Sequence, residues 1–186
     1  MNLKPVKNFF VFLWEIFKIV LLALVIVIPI RYFLFQPFLV RGQSMEPSFH
    51  NNDYLIIDQI SYRFREPKRG EVIVFQYPRN TSQRFIKRII GLPGEALEIE
   101  NGKVKIKQNG EIQILDESDY LPLSIETPGD LETILAENEY FVLGDNRRLS
   151  SDSRSWGSLS RGHIVGRVLL RAWPITALAL IEEPSY

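Results

Sequence analysis

The sequence contains no cysteine, only two histidines, and no excess of charge of either sign. Without cysteine, thiol nucleophiles, disulfides and thiolate metal ligands are excluded. The histidines, His50 and His163, are unpaired and lie outside any H-E-x-x-H pattern, so we predict that the chain builds no metal site. Basic and acidic residues number 22 each, so global charge does not favour nucleic acid as a partner.

One apolar segment is long enough to anchor the chain in a membrane. Residues 19–30 are uncharged and rich in Leu, Ile and Val, and mostly apolar residues continue on both sides. A bilayer core needs about 20 helical residues, and long basic side chains at the ends of a span can snorkel to the interface. We predict a single tilted transmembrane helix between about Leu13 and Phe35. Residues expected near its ends are Trp14, Lys18, Arg31, Tyr32 and Phe33.

A cleavable signal peptide and a buried core helix are the alternatives for this segment. Residues 29–32, Pro-Ile-Arg-Tyr, do not form a small-x-small cleavage site. A soluble core helix is seldom apolar on every face over such a length. We therefore predict an N-terminal flank and anchor over 1–36, with a cytoplasmic N-terminus, and a globular domain over 37–186.

The globular part shows the pattern of a mainly β, antiparallel domain. Short apolar runs are separated by Gly, Pro and Asn, and Asn-Gly pairs at 101–102 and 109–110 predict a three-strand meander. The acidic segment 116–138 lacks apolar periodicity, so we expect a solvated surface excursion there. The predicted strands are Val72–Tyr77, Phe85–Ile90, Ala96–Ile99, Val104–Ile106, Ile112–Leu115, Tyr140–Leu143 and Ile164–Trp173.

Ser44, just beyond the apolar segment, is the candidate nucleophile. Gly42 permits an unusual backbone before it and Pro47 stiffens the chain after it, so its hydroxyl can be held in one position. Turns also commonly select serine beside glycine and proline, which is the ordinary alternative. A serine becomes a useful nucleophile only when a base takes its proton.

Lys87 is the candidate base. It lies in an extended apolar run, on the strand face that carries Phe85 and Ile89, whereas Arg88 points the opposite way. Lowering a lysine pKa from about 10.4 to near 7 requires roughly 4.6 kcal/mol, which burial can provide. Lys87 must therefore be largely covered if it is the base. The alternative is a lysine that snorkels from a sheet edge, and Arg88 is the better candidate for that position.

Three sequence blocks, in this order, resemble the bacterial type I signal peptidases, also called leader peptidases, which use a Ser/Lys dyad. The blocks are 42–47 after an anchor, 87–95, and 144–157, and the resemblance extends from the anchor to Trp173. It implies an antiparallel β-sheet catalytic domain of the signal-peptidase type, behind a single transmembrane helix. It also implies catalysis by Ser44 and Lys87 without a cofactor.

The same resemblance implies roles for further residues. Ser150 matches a position whose hydroxyl hydrogen-bonds the lysine, and Asp145, Asp152 and Arg154 match supporting scaffold positions. On the residues alone, Asp145 could equally belong to a turn, and Asp152 with Arg154 to a surface pair. Some relatives have a serine oxyanion donor two residues before the nucleophile, where this chain has Gly42. The oxyanion would then depend on the backbone N–H of Ser44 and a further donor that the sequence does not identify.

The resemblance finally implies a substrate and a location. The substrate is the signal peptide of an exported preprotein, cut after a small-x-small motif. The expected partners are that peptide and membrane lipid, without nucleic acid, and association with the export translocase is allowed. We expect a single-pass protein of the cell membrane, or of an internal membrane such as the thylakoid, with its catalytic domain on the extracytoplasmic face. Residues 38–40 would help to form an apolar face for the extended peptide.

Three other interpretations stay open at this point. Ser44 could belong to a Ser-His-Asp triad with His50 or His163, because geometry and not chain order defines a triad. The chain could be a self-cleaving Ser/Lys regulator, although such a protein needs a DNA-binding helix-turn-helix where this one has lipid-compatible residues. It could also be a non-catalytic anchored β-domain that binds exported chains or an assembly partner.

Overall fold

A computed structural model describes residues 4–29, 35–108, 110–182 and 184. The N-terminal helix α1 spans Lys4–Pro29, and its side chains from Phe12 to Ile28 are exposed. Within these described parts of the chain, no helix is of the length and apolarity needed to cross a membrane. Three residues predicted near one end of the span, Arg31, Tyr32 and Phe33, lie outside the described residues.

The remainder is mainly β and antiparallel, as predicted. The strands are β1 Phe35–Leu39, β2 Tyr54–Asp58, β3 Val72–Tyr77, β4 Asn80–Gly91, β5 Ala96–Glu100, β6 Lys103–Gln108, β7 Glu111–Ile114, β8 Leu131–Ile134, β9 Glu139–Leu143, β10 Leu159–Ser160, β11 Ile164–Trp173 and β12 Ala179–Leu180. The large sheet has the order β1-β2-β11-β3-β4-β9-β10, and β12 pairs with β11. The smaller sheet has the order β7-β6-β5-β8. A second, four-residue helix, α2, spans Ser153–Trp156.

The predicted meander is confirmed as β5-β6-β7 in the smaller sheet. Its first turn has positive φ at both Asn101 (51°) and Gly102 (74°), the conformation that tight hairpin turns require. The acidic segment that follows differs from the prediction, because β8 forms within it and pairs with β5. Leu121 and Leu135 are buried there, so apolar residues too widely spaced to give a periodic signal still secure the segment to the core.

The predicted boundary between anchor and domain, at 36/37, falls inside β1, which forms one edge of the large sheet. Strand β4 crosses the middle of that sheet and carries Lys87. It pairs with β3 from Asn80 to Arg88, but β9 joins its other edge only from Arg88 onward. Residues 84–87 of β4 therefore have no strand on that second edge among the described residues.

Core packing fixes the segment around Ser44 against β4. Met45, which follows Ser44, and Ile86, which precedes Lys87, belong to the same buried hydrophobic cluster, together with Val40 and Phe49. Burying large apolar side chains of this kind stabilises a fold by about 1.5–3 kcal/mol each. The packing thus holds Ser44 and Lys87 close together, although 43 positions separate them in the sequence.

Candidate active site

The segment that carries Ser44 is an irregular turn between β1 and β2. Gly42 has a φ of +90°, which side-chain-bearing residues seldom adopt, and its N–H donates to Asn51 Oδ1 at 3.0 Å. Farther along, the N–H of Phe49 donates to the carbonyl of Met45 at 2.8 Å. The predicted unusual backbone at Gly42 is confirmed, and hydrogen bonds together with buried Met45 and Phe49 hold the turn.

Lys87 meets Ser44 directly. The Lys87 Nζ lies 2.7 Å from Ser44 Oγ and 2.8 Å from the carbonyl oxygen of Ile86. Only 3% of Lys87 is exposed, and its Nζ lies 5.6 Å from the centroid of the Phe85 ring. The lysine is covered, as its proposed chemistry requires, and its nitrogen is within hydrogen-bond distance of a hydroxyl.

Burial changes the titration of this lysine. Removal from water lowers the pKa of Lys87 to about 8, while the negative charges of Asp152 and Asp145 act in the opposite direction. A lysine with that pKa is neutral in about one tenth of molecules at pH 7, compared with less than one in a thousand for an ordinary lysine. The neutral amine, which can accept a proton, is thus accessible near physiological pH.

Asp145 forms a buried ion pair with Arg88. Arg88 Nε donates to Oδ1 at 2.9 Å and Nη2 to Oδ2 at 2.7 Å, which is the two-point geometry of a strong charge-assisted pair. Arg88 Nη1 donates to the Gly70 carbonyl, and the guanidinium stacks on Tyr120 with its carbon 3.9 Å from the ring centroid. The expectation that Arg88 reaches the surface is wrong, because these partners hold it at 4% exposure.

Asp152 forms a second buried pair, with Arg154. Arg154 Nε donates to Oδ1 and Nη2 to Oδ2, both at 2.8 Å, and the Gly144 N–H donates to Oδ2 at 3.1 Å. Burial alone would raise the pKa of Asp152, but Arg154 and the Gly144 N–H favour the carboxylate and hold the pKa below its ordinary value. Asp152 is fully buried, so the pair does not lie on the surface.

Ser150 lies beside Gly144 and does not make the predicted hydrogen bond. Its Oγ is buried and has no hydrogen-bond partner of normal geometry among the described residues, Lys87 included. It is close enough to Asp152 to favour the charged carboxylate slightly. The same stretch of chain does reach the candidate nucleophile, because the N–H of Asn146 donates to the carbonyl oxygen of Ser44 at 3.1 Å.

Arg147 is a structural residue of this site that sequence reasoning missed. It is 2% exposed, its Nε donates to the Gly144 carbonyl at 3.2 Å, and its two terminal nitrogens donate to Glu117 at 2.7 and 2.5 Å. It also donates to Thr127. The acidic excursion thus supplies a carboxylate and a hydroxyl that hold the third sequence block in place. The only sequence signal was the position of Arg147 inside that block.

A cleft of about 440 Å³ opens over the Ser44–Lys87 contact. Its lining includes Phe38 and Leu39 of β1, as predicted for the apolar face, whereas Val40 is buried in the core. The remaining lining residues are Arg41, Gly42, Gln43, Arg84, Phe85, Ile86, Leu149 and Ser151. An extended peptide laid in this cleft would pass both candidate residues.

The described residues do not assemble a histidine triad. His50 is exposed and does not line the cleft, and its backbone N–H donates to Asp53 Oδ2 at 2.9 Å. His163 lies in the 3-10 turn Arg161–His163, which also takes no part in the cleft. Asp145, a candidate orienting group, is engaged by Arg88. The lysine is the basic side chain that meets Ser44.

Sequence comparison agrees with this geometry. Residues 13–173 match the family model described as signal peptidase, peptidase S26. A "Probable signal peptidase I-2" from Synechocystis is 37% identical over 176 residues, covering 92% of this chain and 78% of that protein. A "Signal peptidase I" from Leptolyngbya laminosa is 39% identical over 186 residues, covering 94% and 87% respectively.

A solved structure, of a signal peptidase I from Enterococcus faecalis, is 33% identical in the aligned part, which covers 56% of this chain and 97% of that one, with a TM-score of 0.46. The family model matches most of the sequence, and the two relatives are 37% and 39% identical over more than nine tenths of this chain. These matches decide the family assignment. The chain therefore belongs to the signal peptidase family, peptidase S26, and is a serine peptidase.

Proposed function

We propose that this chain is a membrane-anchored endopeptidase that cuts signal peptides from exported preproteins after a small-x-small motif, with Ser44 as the nucleophile and Lys87 as the general base. The observation that carries the proposal is the 2.7 Å contact between Ser44 Oγ and the amine of a buried lysine whose pKa is lowered to about 8. An amine that is neutral in part of the molecules can accept a hydroxyl proton.

In the first half of the reaction, Ser44 Oγ attacks the carbonyl carbon of the scissile bond while its proton passes to Lys87 Nζ. The resulting tetrahedral intermediate carries a negative oxygen. The backbone N–H of Ser44 is a suitable donor to that oxygen, because it has no hydrogen-bond acceptor in the described part of the chain. Collapse of the intermediate breaks the C–N bond, and Lys87 returns the proton to the departing amine.

In the second half, water replaces the amine. Lys87, neutral again, takes a proton from water, whose oxygen attacks the ester carbon of the acyl-enzyme. The C–O bond to Ser44 then breaks, and the proton on Lys87 returns to Ser44 Oγ. The buried ion pairs of Asp145 and Asp152 act as supporting groups that keep the third block packed against the Ser44 carbonyl.

The fold supports an extended substrate. Residues 84–87 of β4 have no strand partner on the edge away from β3, so an extended peptide can add there by main-chain hydrogen bonds. Phe38 and Leu39 line the same cleft and provide apolar surface. Register along such an edge would bring one peptide bond to Ser44, with the small residues of the motif preceding that bond in the cleft.

The anchor and location form the second part of the proposal. Helix α1 has 26 residues, a length of about 39 Å, and from Ile19 to Ile28 it carries only uncharged side chains, which are exposed to the surroundings. Exposed apolar surface on that scale is favourable in lipid and unfavourable in water. We propose that the apolar segment of residues 13–35, to which α1 contributes, spans the cell membrane, or an internal membrane, with the catalytic domain on the extracytoplasmic face.

A cleavage assay tests the dyad. Purified full-length chain is incubated with a preprotein whose signal peptide ends in Ala-x-Ala, and the new N-terminus is sequenced. We expect cleavage after that motif, lost in both Ser44→Ala and Lys87→Ala. Ser82→Ala and Lys103→Ala, at exposed positions, serve as matched controls and should cleave like the parent. Retained activity in either dyad variant would overturn the assigned roles.

Flotation with liposomes tests the anchor separately. We expect the full chain to float with the vesicles and to resist extraction at alkaline pH. Leu22→Lys combined with Val25→Lys places two charges in the middle of α1, each costing about 2.5–3.5 kcal/mol at the centre of a bilayer, and should release the protein. Unchanged flotation of this variant would contradict insertion of α1.

A further inference from the structure

The cleft carries positive charge that nothing in the described chain neutralises. Arg41 and Arg84 both line it, both are exposed, and neither has a hydrogen bond or an ion pair with a described residue. No aspartate or glutamate is among the residues that line the cleft. Two guanidinium groups therefore face the space where a substrate would lie.

Nearby carboxylates do not offset this charge. Asp145 and Asp152 lie behind the dyad, but each is buried and paired with its own arginine, Arg88 or Arg154. The whole chain has as many acidic as basic residues, 22 of each, so the positive charge at the cleft is local. A local field of one sign beside an active site favours substrates of the opposite charge.

The two arginines occupy related positions. Arg41 precedes Ser44 by three residues, and Arg84 precedes Lys87 by three residues along β4. Arg84 also lines a second groove, together with Val27 and Ile28 near the end of α1. It therefore lies between the dyad and the proposed membrane side, the side from which the apolar part of a signal peptide would approach.

We propose that Arg41 and Arg84 are specificity-determining residues, which favour an acidic side chain in the substrate segment between the apolar part of the signal peptide and the scissile bond. This inference rests on the proposed function, because it adds a charge preference to the same site. The ligand chemistry is a carboxylate in an extended peptide. Arginine suits it, since its planar fork can donate two hydrogen bonds to one carboxylate.

A peptide series tests the preference. A signal-peptide substrate that keeps Ala-x-Ala before the scissile bond and has Gln at each position from four to six residues before it is changed, one position at a time, to Glu or to Lys. We expect kcat/KM to be about fivefold to twentyfold higher for Glu than for Lys at one or two of these positions, the range that one or two exposed ion pairs provide. The ratio should fall toward one at about 1 M salt, where the Debye length is about 3 Å.

Enzyme variants assign the effect to the arginines. In Arg41→Gln, Arg84→Gln and the double variant, the Glu-to-Lys ratio should fall stepwise toward one. Lys103→Gln removes an exposed cation on the smaller sheet, away from the cleft, and should leave the ratio unchanged. Because the readout is a ratio between two peptides, a general loss of activity in a variant does not imitate the result.

Two outcomes would overturn the inference. The first is an equal kcat/KM for Glu and Lys peptides in the parent enzyme, and the second is a preference that persists in the double variant. If the arginine variants instead change only the dependence on anionic vesicles, the arginines bind lipid phosphate and the inference fails. Activity that survives Ser44→Ala would refute the proposed function itself, independently of these ratios.

Discussion

A Cβ atom placed on Gly144 would come within 2.4 Å of the carbonyl oxygen of Ser44. The same atom would lie 2.1 Å from Ser150 Oγ. Distances this short are not tolerated, so any side chain at position 144 must displace one of these serines. The backbone of the third sequence block thus passes directly behind the candidate nucleophile, with no room for a methyl group.

Gly144→Ala should therefore impair catalysis, because the added Cβ must displace the backbone carbonyl of Ser44. A shift of about 1 Å in a reacting group can cost about 100-fold in rate, and we expect a loss of that order in kcat/KM. The matched control is Gly162→Ala, because a Cβ at Gly162 meets open space and its φ is not positive. If kcat/KM of Gly144→Ala equals that of the parent, the segment that carries Ser44 can move without affecting catalysis, which would contradict the prediction.

The pH dependence of catalysis should report the titration of Lys87. The base must be neutral, and burial lowers its pKa to about 8, so kcat/KM should rise through pH 8 and level off above it. The measurement is a profile from pH 5 to 10 on a substrate without titratable groups near the scissile bond. Lys87→Arg, whose guanidinium stays protonated, should be inactive throughout. An inflection near pH 10.4 would contradict a buried neutral base.

Much of the fold could be predicted from alternating apolar residues and turn signals. Strands β3 and β11 have the predicted bounds, and the Asn-Gly pair at 101–102 forms the first turn of the meander. Strand β1 was not predicted, because its residues continue the apolar run of the N-terminal segment and lack a separating turn signal. Strand β8 was not predicted either, because the segment around it is acidic and shows no apolar periodicity. Pairing with β5 stabilises this strand, and the local sequence does not encode that pairing.

The candidate site was predictable only in part. Ser44 and Lys87 could be named from the chemistry of their neighbours and from family resemblance, and the structure brings them together. The buried positions of Arg88 and Arg147 could not be predicted, because a guanidinium is buried only when partners distant in the sequence form hydrogen bonds or ion pairs with it. The carboxylate partner of Arg88 is 57 residues away and that of Arg147 is 30, and no periodicity within a strand or turn reveals such pairs.

Removing one member of the Arg88–Asp145 pair should destabilise the fold strongly. Arg88→Met leaves a fully buried carboxylate without its cation, which typically costs about 3–5 kcal/mol. The double variant Arg88→Met/Asp145→Leu should cost less than the sum of the single changes, because neither charge remains. Denaturant unfolding measures all three. Lys105→Met, which breaks partly exposed pairs with Glu98 and Glu100, is the control and should cost less than about 1 kcal/mol. Additive costs at the buried pair would contradict this coupling.

Lys87→Met should abolish catalysis and yet stabilise the fold at neutral pH. The pKa of Lys87 is about 8 in the folded chain and 10.5 in its ordinary state, so below pH 8 a buried charge costs about 3 kcal/mol. Between pH 8 and 10.5 the folded lysine is already neutral while the unfolded one still binds a proton, so the stability of the parent rises with pH. The advantage of Lys87→Met should therefore be greatest below pH 8 and should vanish above pH 10.5.

Thermal unfolding of the parent and of Lys87→Met, measured from pH 6 to 10.5, checks this pH dependence. Lys103→Met removes an exposed lysine and should show no comparable gain in stability at any pH in this range. A constant difference between the parent and Lys87→Met across the range would mean that the amine does not change its protonation on unfolding. A lower stability of Lys87→Met at pH 6 would mean that the contacts of the amine with Ser44 and with the Ile86 carbonyl outweigh the cost of its burial.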